Sequence, residues 1–140
     1  MVDTLTPAER SYRMSLVRST DTKPEFAVRR LIHGMGYRYR IHRHDLPGTP
    51  DIVFPARRLV IFVHGCFWHR HDGCSLARMP KSKLEFWRKK LEGNRERDIR
   101  KIGKLESMGW RVLVVWECEL SDLDILASRL RGFLDGGLTI

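Results

Sequence analysis

The sequence has no apolar run near the length of a membrane span, and its start, Met-Val-Asp-Thr-Leu-Thr-Pro-Ala-Glu-Arg, has neither the basic opening nor the apolar stretch of a signal peptide. Both absences lead to the expectation of a soluble, cytoplasmic protein. Cysteine is scarce too. Cys66, Cys74 and Cys118 are the whole supply, and an odd number in such a chain argues against a disulfide framework while leaving thiols free to act as ligands. Repeats and low-complexity tracts are absent, and no shift of composition marks a second domain, so the expectation is one domain over residues 1–140. Acidic residues are thinly spread where the chain is richest in other chemistry. Residues 10–104 hold 23 Lys/Arg against 9 Asp/Glu, whereas residues 105–140 hold 3 against 6, within a formal net charge of +9. An imbalance of that size costs self-repulsion and is most simply explained by a polyanionic partner, nucleic acid first; a solvated basic surface is the plainer alternative.

What is present concentrates in Val60–Cys74, which reads V-I-F-V-H-G-C-F-W-H-R-H-D-G-C. A short apolar run rich in Val, Ile and Phe and closed by Gly65 reads as a buried strand. Imidazoles, thiols and an aromatic pair then arrive within a dozen positions of His64, so the chemistry sits at a strand end.

Around it the chain predicts a helix from about residue 6 to 18, opened by Thr6-Pro7-Ala8-Glu9, and a second opened by Thr22-Lys23-Pro24-Glu25, with Phe26, Ala27, Leu31 and Ile32 at helical spacing. Tyr37, Tyr39 and Ile41 alternate with basic residues as a strand with one core face and one basic face. A turn over Leu46–Pro50, a short strand Asp51–Phe54, a hairpin connection Pro55–Arg58 and the strand Leu59–Val63 follow. Ser82-x-x-Glu85 reads as a third capping box, opening a long charged helix that Gly109 ends. Trp110–Trp116 is the most apolar segment and reads as a central strand; Ser121–Leu134 reads as a last helix. This order implies an α/β domain, a mixed central sheet flanked by helices.

Cys66-x4-His71-x2-Cys74, with Cys118 far downstream, offers four ligands of the types a tetrahedral Zn2+ site uses, and such a closed shell would be structural. Three cysteines buried for packing is the competing reading. Pro50-Asp51, one hairpin from His64 and His69, suggests a hard-cation site, since a carboxylate and phosphate oxygens together can hold Mg2+ while an imidazole takes a proton from water. An Asp capping a turn after Pro is the alternative. His64 and His69 could join the metal shell, but three cysteines and His71 already fill four positions, which leaves both for an active site. His33, His42 and His44 read as helix and loop histidines. Glu25 is explained by its capping box and could also act behind a metal-bound water. Phe67 and Trp68 cannot both point inward from a regular strand, so one or both are exposed or in a loop, where aromatics beside a basic surface can stack on or wedge between bases. Trp87, on the basic helix, could join them or pack in the core.

The segments H-G-C-F-W-H-x-H, R-S-x-x-M (Arg10 to Met14), Asp21-Thr22, L-P-G-x-P-D (Leu46 to Asp51), E-F-W-x-x-K-x-x-x-N-x-x-R-D (Glu85 to Asp98) and G-W-R-V-L-x-V-W-E-C (Gly109 to Cys118) closely resemble the very-short-patch-repair (Vsr) DNA mismatch endonucleases, in order and over about nine-tenths of the chain. The resemblance implies a bacterial, metal-dependent nuclease with a restriction-endonuclease-like fold, acting as a monomer. Such an enzyme nicks double-stranded DNA 5′ of the thymine in a T:G mismatch, the product of 5-methylcytosine deamination, with MutL-type mismatch-repair proteins as possible companions. It implies Asp51 and the main-chain carbonyl of Val63 as Mg2+ ligands, His69 as the base, His64 at the scissile phosphate, Glu25 behind the metal, and Cys66, His71, Cys74 and Cys118 as Zn2+ ligands. Phe67, Trp68 and Trp87 correspond to aromatics that enter the duplex from the major groove, and Met14 to a residue inserted from the other side; Lys90 and Asn94 are expected at the DNA backbone. The N-terminal helix would be an arm on the DNA.

The chain departs from the family pattern at Val63, where relatives carry Thr, and at His71–Cys74, which is one residue longer. Two other functions fit the same residues: a mobile-element nuclease cutting matched sites, and a zinc-containing DNA-binding module without catalysis.

Overall fold

The computed structural model describes residues 22–71 and 73–136. The expected helix over residues 6–18, with Met14, lies outside the described residues. Among them no helix is long and apolar enough to cross a membrane.

Helix α1 spans Lys23–Gly34 and begins as its sequence dictates. The Thr22 hydroxyl accepts the Glu25 N–H at 3.3 Å, and the Glu25 carboxylate accepts the Thr22 N–H at 2.6 Å, closing the capping box. The buried face is not the expected one. Glu25, Val28, Arg29 and Ile32 are buried, and Phe26 is 44% exposed. The spacing is helical, but two of the four inward positions carry charge because they face a site.

Strands β1 (Arg40–Ile41), β2 (Ile52–Phe54) and β3 (Leu59–His64) form an antiparallel meander, joined between β2 and β3 by a 3-10 turn at Pro55–Arg57 and a left-handed Arg58 at φ 53°. The alternating strand predicted around Tyr37–Ile41 shrinks to two residues. Tyr37 and Tyr39 still pack on the core, while Ile41 is exposed. Helix α2 (Leu84–Ser107) then crosses over to β4 (Arg111–Trp116), which pairs with β3 in parallel from Leu59↔Arg111 to His64↔Trp116. The sheet order is β1-β2-β3-β4, and helix α3 (Leu123–Gly136) follows.

Two expectations fail here. β4 is an edge strand among the described residues, not a central one. Helices cover both of its faces, and two-sided cover produces a continuous apolar run at an edge as readily as in the middle. The Ser82–Glu85 capping box does not form: Lys83 precedes α2 in the left-handed region at φ 55° with no side-chain cap. In its first turn Trp87 packs on Phe86 and on Phe67 and Trp68 of the loop after β3.

The core has two layers divided by β3, which is buried along its whole length. Ile61 and Val63 pack with Val28, Ile32, Val115, Leu126, Leu130 and Leu134 under α1 and α3. Val60 and Phe62 pack with Val53, Leu105 and Trp110 under α2. Each fully buried Leu contributes about 1.5–3 kcal/mol.

One stripe of α2 carries Trp87, Leu91, Asn94, Asp98, Lys101 and Leu105, separated by alternating steps of four and three, with Lys101 exposed and the others buried or half-buried. Leu91 and Leu105 are fully buried. Of the three polar residues between them, Asn94 and Asp98 meet the loop that follows β3.

Candidate active site and metal-binding cluster

β2 begins at Ile52, so at Val63 the ladder runs out and a side chain takes its place: Asp51 Oδ2 accepts the Val63 N–H at 2.6 Å. In an extended strand the carbonyl of a residue projects from the same edge as its N–H, so the Val63 carbonyl is turned toward Asp51 as well. Glu25, only 2% exposed, reaches the same point from the first turn of α1. Burial, then the hydrogen-bonding contact and charge of Glu25, push Asp51 up to about 8, against the Val63 N–H and the Arg29 charge, which pull it down. Arg29 is itself buried, with Nη2 4.0 Å from Glu25 Oε2 and 3.1 Å from His42 Nε2. Two crowded carboxylates offset by one guanidinium make a site where a hard, oxygen-seeking cation fits.

The strand alternation sends His64 to the opposite face, toward α2. There its ring stacks on His69, with centroids 3.8 Å apart and planes at 6°, and touches Trp116 edge-on. His69 Nδ1 lies 2.5 Å from Asp98 Oδ2, leaving Nε2 as the other ring nitrogen. The loop that presents His69 is tied down by its own backbone, including the His69 N–H to the Gly65 carbonyl at 3.1 Å and the His71 N–H to the Cys66 carbonyl at 2.9 Å, and by Asn94 Nδ2 to the Trp68 carbonyl at 3.0 Å. Burial first, then the charges of His69 and Lys101, hold His64 down at about 4, partly opposed by Asp98. His64 is therefore neutral at physiological pH. The sequence reading assigned no role to Asp98. The available signal was its place four residues after Asn94 in the R-D of the helix motif.

Cys66, His71, Cys74 and Cys118 form a separate group whose ligand atoms all lie within 4.8 Å of one another. Cys66 follows β3 and Cys118 follows β4, and the parallel register brings these residues together. His71 Nδ1 is 3.5 Å from Cys118 Sγ, and the Cys118 N–H donates to Cys66 Sγ at 3.4 Å. Zinc bonds of roughly 2.0–2.3 Å place tetrahedral ligand atoms about 3.5–3.8 Å apart, so this donor set fits with little contraction. The His71 ring is also stacked on Trp116, with centroids 4.1 Å apart. Burial pushes the Cys66 thiol up to about 12. A divalent cation, which favours thiolate, would reverse that.

Phe67, Trp68 and Trp87 meet, as half-buried rings with centroids 5.1–6.0 Å apart. Phe67 and Trp68 lie in the loop. Phe86, 49% exposed and 5.2 Å from Trp87, is the outermost member of the group. Lys90 is exposed on α2. Asn94 is placed against the Trp68 carbonyl and Arg97.

Comparison with known proteins adds an independent line. The family profile described as DNA mismatch endonuclease Vsr matches residues 2–75. The type II nicking enzyme V.XorIIP of Xanthomonas oryzae pv. oryzae (strain KACC10331 / KXO85) is 62% identical over 135 residues, 96% of this chain and 98% of that one. The DNA mismatch endonuclease Vsr of Escherichia coli (strain K12) is 45% identical over 129 residues, 92% of this chain and 82% of that one. Among solved structures, the catalytic domain of the homing endonuclease I-Bth0305I aligns with a TM-score of 0.58 at 23% identity, covering 85% of this chain and 100% of that one; the likeness is one of fold.

Proposed function

The chain belongs to the Vsr family of DNA mismatch endonucleases and is a DNA endonuclease, and from that premise we propose that it nicks one strand of duplex DNA 5′ of the thymine in a T:G mismatch. The observation that carries this reading is that two consecutive residues at the end of β3 carry the two halves of the site: Val63, whose N–H Asp51 holds with Glu25 behind it, and His64, stacked in the His64–His69–Asp98 array whose loop also bears a half-exposed aromatic cluster.

In this reading Asp51 and the Val63 carbonyl hold Mg2+, with Glu25 behind it. The bound ion would offset charge on the phosphate. His69 takes the proton of the attacking water at Nε2, with Asp98 holding the ring from Nδ1. His64, kept neutral by burial, offers a hydrogen bond to the phosphate without competing for the proton. Cys66, His71, Cys74 and Cys118 hold Zn2+, which fastens the loop carrying His69, Phe67 and Trp68 to the end of β4. A T:G wobble pair stacks less well than a matched pair, so inserting Phe67, Trp68 and Trp87 beside it costs less, and the deformation itself discriminates. A MutL-type protein as companion rests on family likeness alone.

The test is a nicking assay on labelled duplexes that differ only in T:G against T:A at one position, with Mg2+ or with chelator. A single Mg2+-dependent nick 5′ of the mismatched T is expected. Equal cutting of both duplexes would defeat the mismatch reading and favour action on matched sites.

A further inference from the structure

Past Asp98, the same stripe of α2 continues one turn to Lys101. Its stem is fixed by packing. A Cβ added to Gly48 would come within 3.0–3.3 Å of Lys101 Cδ, Cβ and Cγ, so the lysine methylenes occupy the space that glycine leaves. Gly48, at φ +77°, belongs to the Leu46–Pro50 turn that delivers Asp51, and the stem thereby bridges α2 to that turn. The residue remains exposed, so the ammonium stays in water at the end of a packed stem. Lys101 therefore links the helix that carries Asp98, the partner of His69, to the turn that leads into Asp51.

Breaking a phosphodiester bond gathers negative charge on the phosphoryl oxygens and the leaving oxygen, and preorganised cations lower that barrier. β3, the strand that supplies Val63 and His64, carries neither Lys nor Arg. Arg29, the cation beside Asp51, is buried and engaged with Glu25 and His42. We propose that Lys101 is a substrate-binding residue of the active site, its ammonium contacting a DNA backbone phosphate at or immediately beside the cut. The contact would come from a helix packed across the sheet and not from the strand itself. It would also couple two events, because the same stem rests on the turn that places Asp51. The inference rests on the DNA-nicking reading of this site.

The experiment compares wild type, Lys101→Met and Lys101→Arg on the mismatched duplex. It reads single-turnover nicking with saturating enzyme, DNA affinity across a salt series, and melting temperature. Methionine retains the stem that packs on Gly48 and removes only the charge. Expected for Lys101→Met are an unchanged melting temperature, nicking slowed by about tenfold or more, and a log K against log[salt] slope smaller by about one, as for one lost phosphate contact. Lys101→Arg should recover most of the rate and the full slope. Wild-type nicking together with an unaltered rate and slope in Lys101→Met overturns the inference alone, as does a rate that falls only in step with melting temperature. A wild-type protein that nicks none of the duplexes overturns the site reading, and the inference with it.

Discussion

Replacing Asp98 by Asn tests the histidine array most directly, because it removes one charge and leaves volume and shape nearly unchanged. Asp98 Oδ2 lies 2.5 Å from His69 Nδ1, with the two side chains 18% and 29% exposed. A hydrogen bond to a charged group contributes about 1.5–3 kcal/mol, and partial exposure screens the charge component. Asn can still accept from Nδ1–H, so only the charge-dependent part is lost when the ring takes on a proton in the transition state. We expect a loss of roughly 1–2 kcal/mol, a single-turnover nicking rate lower by about 5- to 30-fold. Asp98→Ala, which also frees the ring, should lose more. Binding of mismatched duplex should be unchanged or slightly tighter, since a negative charge near the phosphate is gone. Rates would be measured at saturating enzyme on a labelled T:G duplex, with affinity by anisotropy. A wild-type rate in Asp98→Asn would refute the assignment of His69 as a base oriented by Asp98, and so would a loss confined to affinity.

Other outcomes follow from the same geometry. Asp51→Asn should abolish nicking while leaving fold and DNA binding intact, and loss of binding together with activity would count against Asp51 as a metal ligand. The same variant carries a pH signature: burial and Glu25 push Asp51 up to about 8 in the metal-free fold, well above its unfolded value, so the folded state retains a proton that the unfolded chain releases. Wild-type stability in Mg2+-free buffer should therefore fall relative to Asp51→Asn as pH rises from about 4 to about 8, and parallel melting curves across that window would contradict it. Metal analysis should find one zinc per chain, and Cys118→Ser should lose it with a drop in melting temperature of about 10 °C or more; zinc-free protein of unchanged stability would defeat the cluster's structural role. Trp87→Ala removes ring contacts to Phe67, Trp68 and Phe86, each worth about 0.5–1.5 kcal/mol. It should flatten the difference in affinity between T:G and T:A duplexes, and retained discrimination would take Trp87 out of the wedge.

Several parts of the structure were legible because their causes are local. The capping box at Thr22 and Glu25 involves groups three residues apart and forms as read. The hairpin between β2 and β3, the burial of β3 and the loop position of Phe67 and Trp68 follow from apolar runs and turn residues in one short stretch. Other features misled. The apolar run of β4 suggested a central strand because a one-dimensional pattern reports cover on two faces but not the number of neighbours. The Ser82 cap was over-read because Lys83 enters the left-handed region and leaves the helix start without a side-chain cap. The site face of α2 was invisible to hydrophobic periodicity, since the stripe between the buried Leu91 and Leu105 is polar, with Asn94 and Asp98 half-buried and Lys101 exposed.

The sequence by itself determined the residue types that chemistry requires, the local elements that carry them and the family to which they point. Only the tertiary structure decided which of them meet. Glu25 and Arg29 could have been an ordinary helix ion pair until α1 docked with that face on Asp51. Cys118 became part of a ligand set because parallel pairing aligned His64 with Trp116. Asp98 gained a role when α2 crossed the end of β3. The physical reason is common to all three. Spacing along the chain sets which groups share a face within about one turn or strand, whereas charge, hydrogen bonding and metal coordination act over a few ångströms in space, and that proximity exists only after the two hydrophobic layers close on β3.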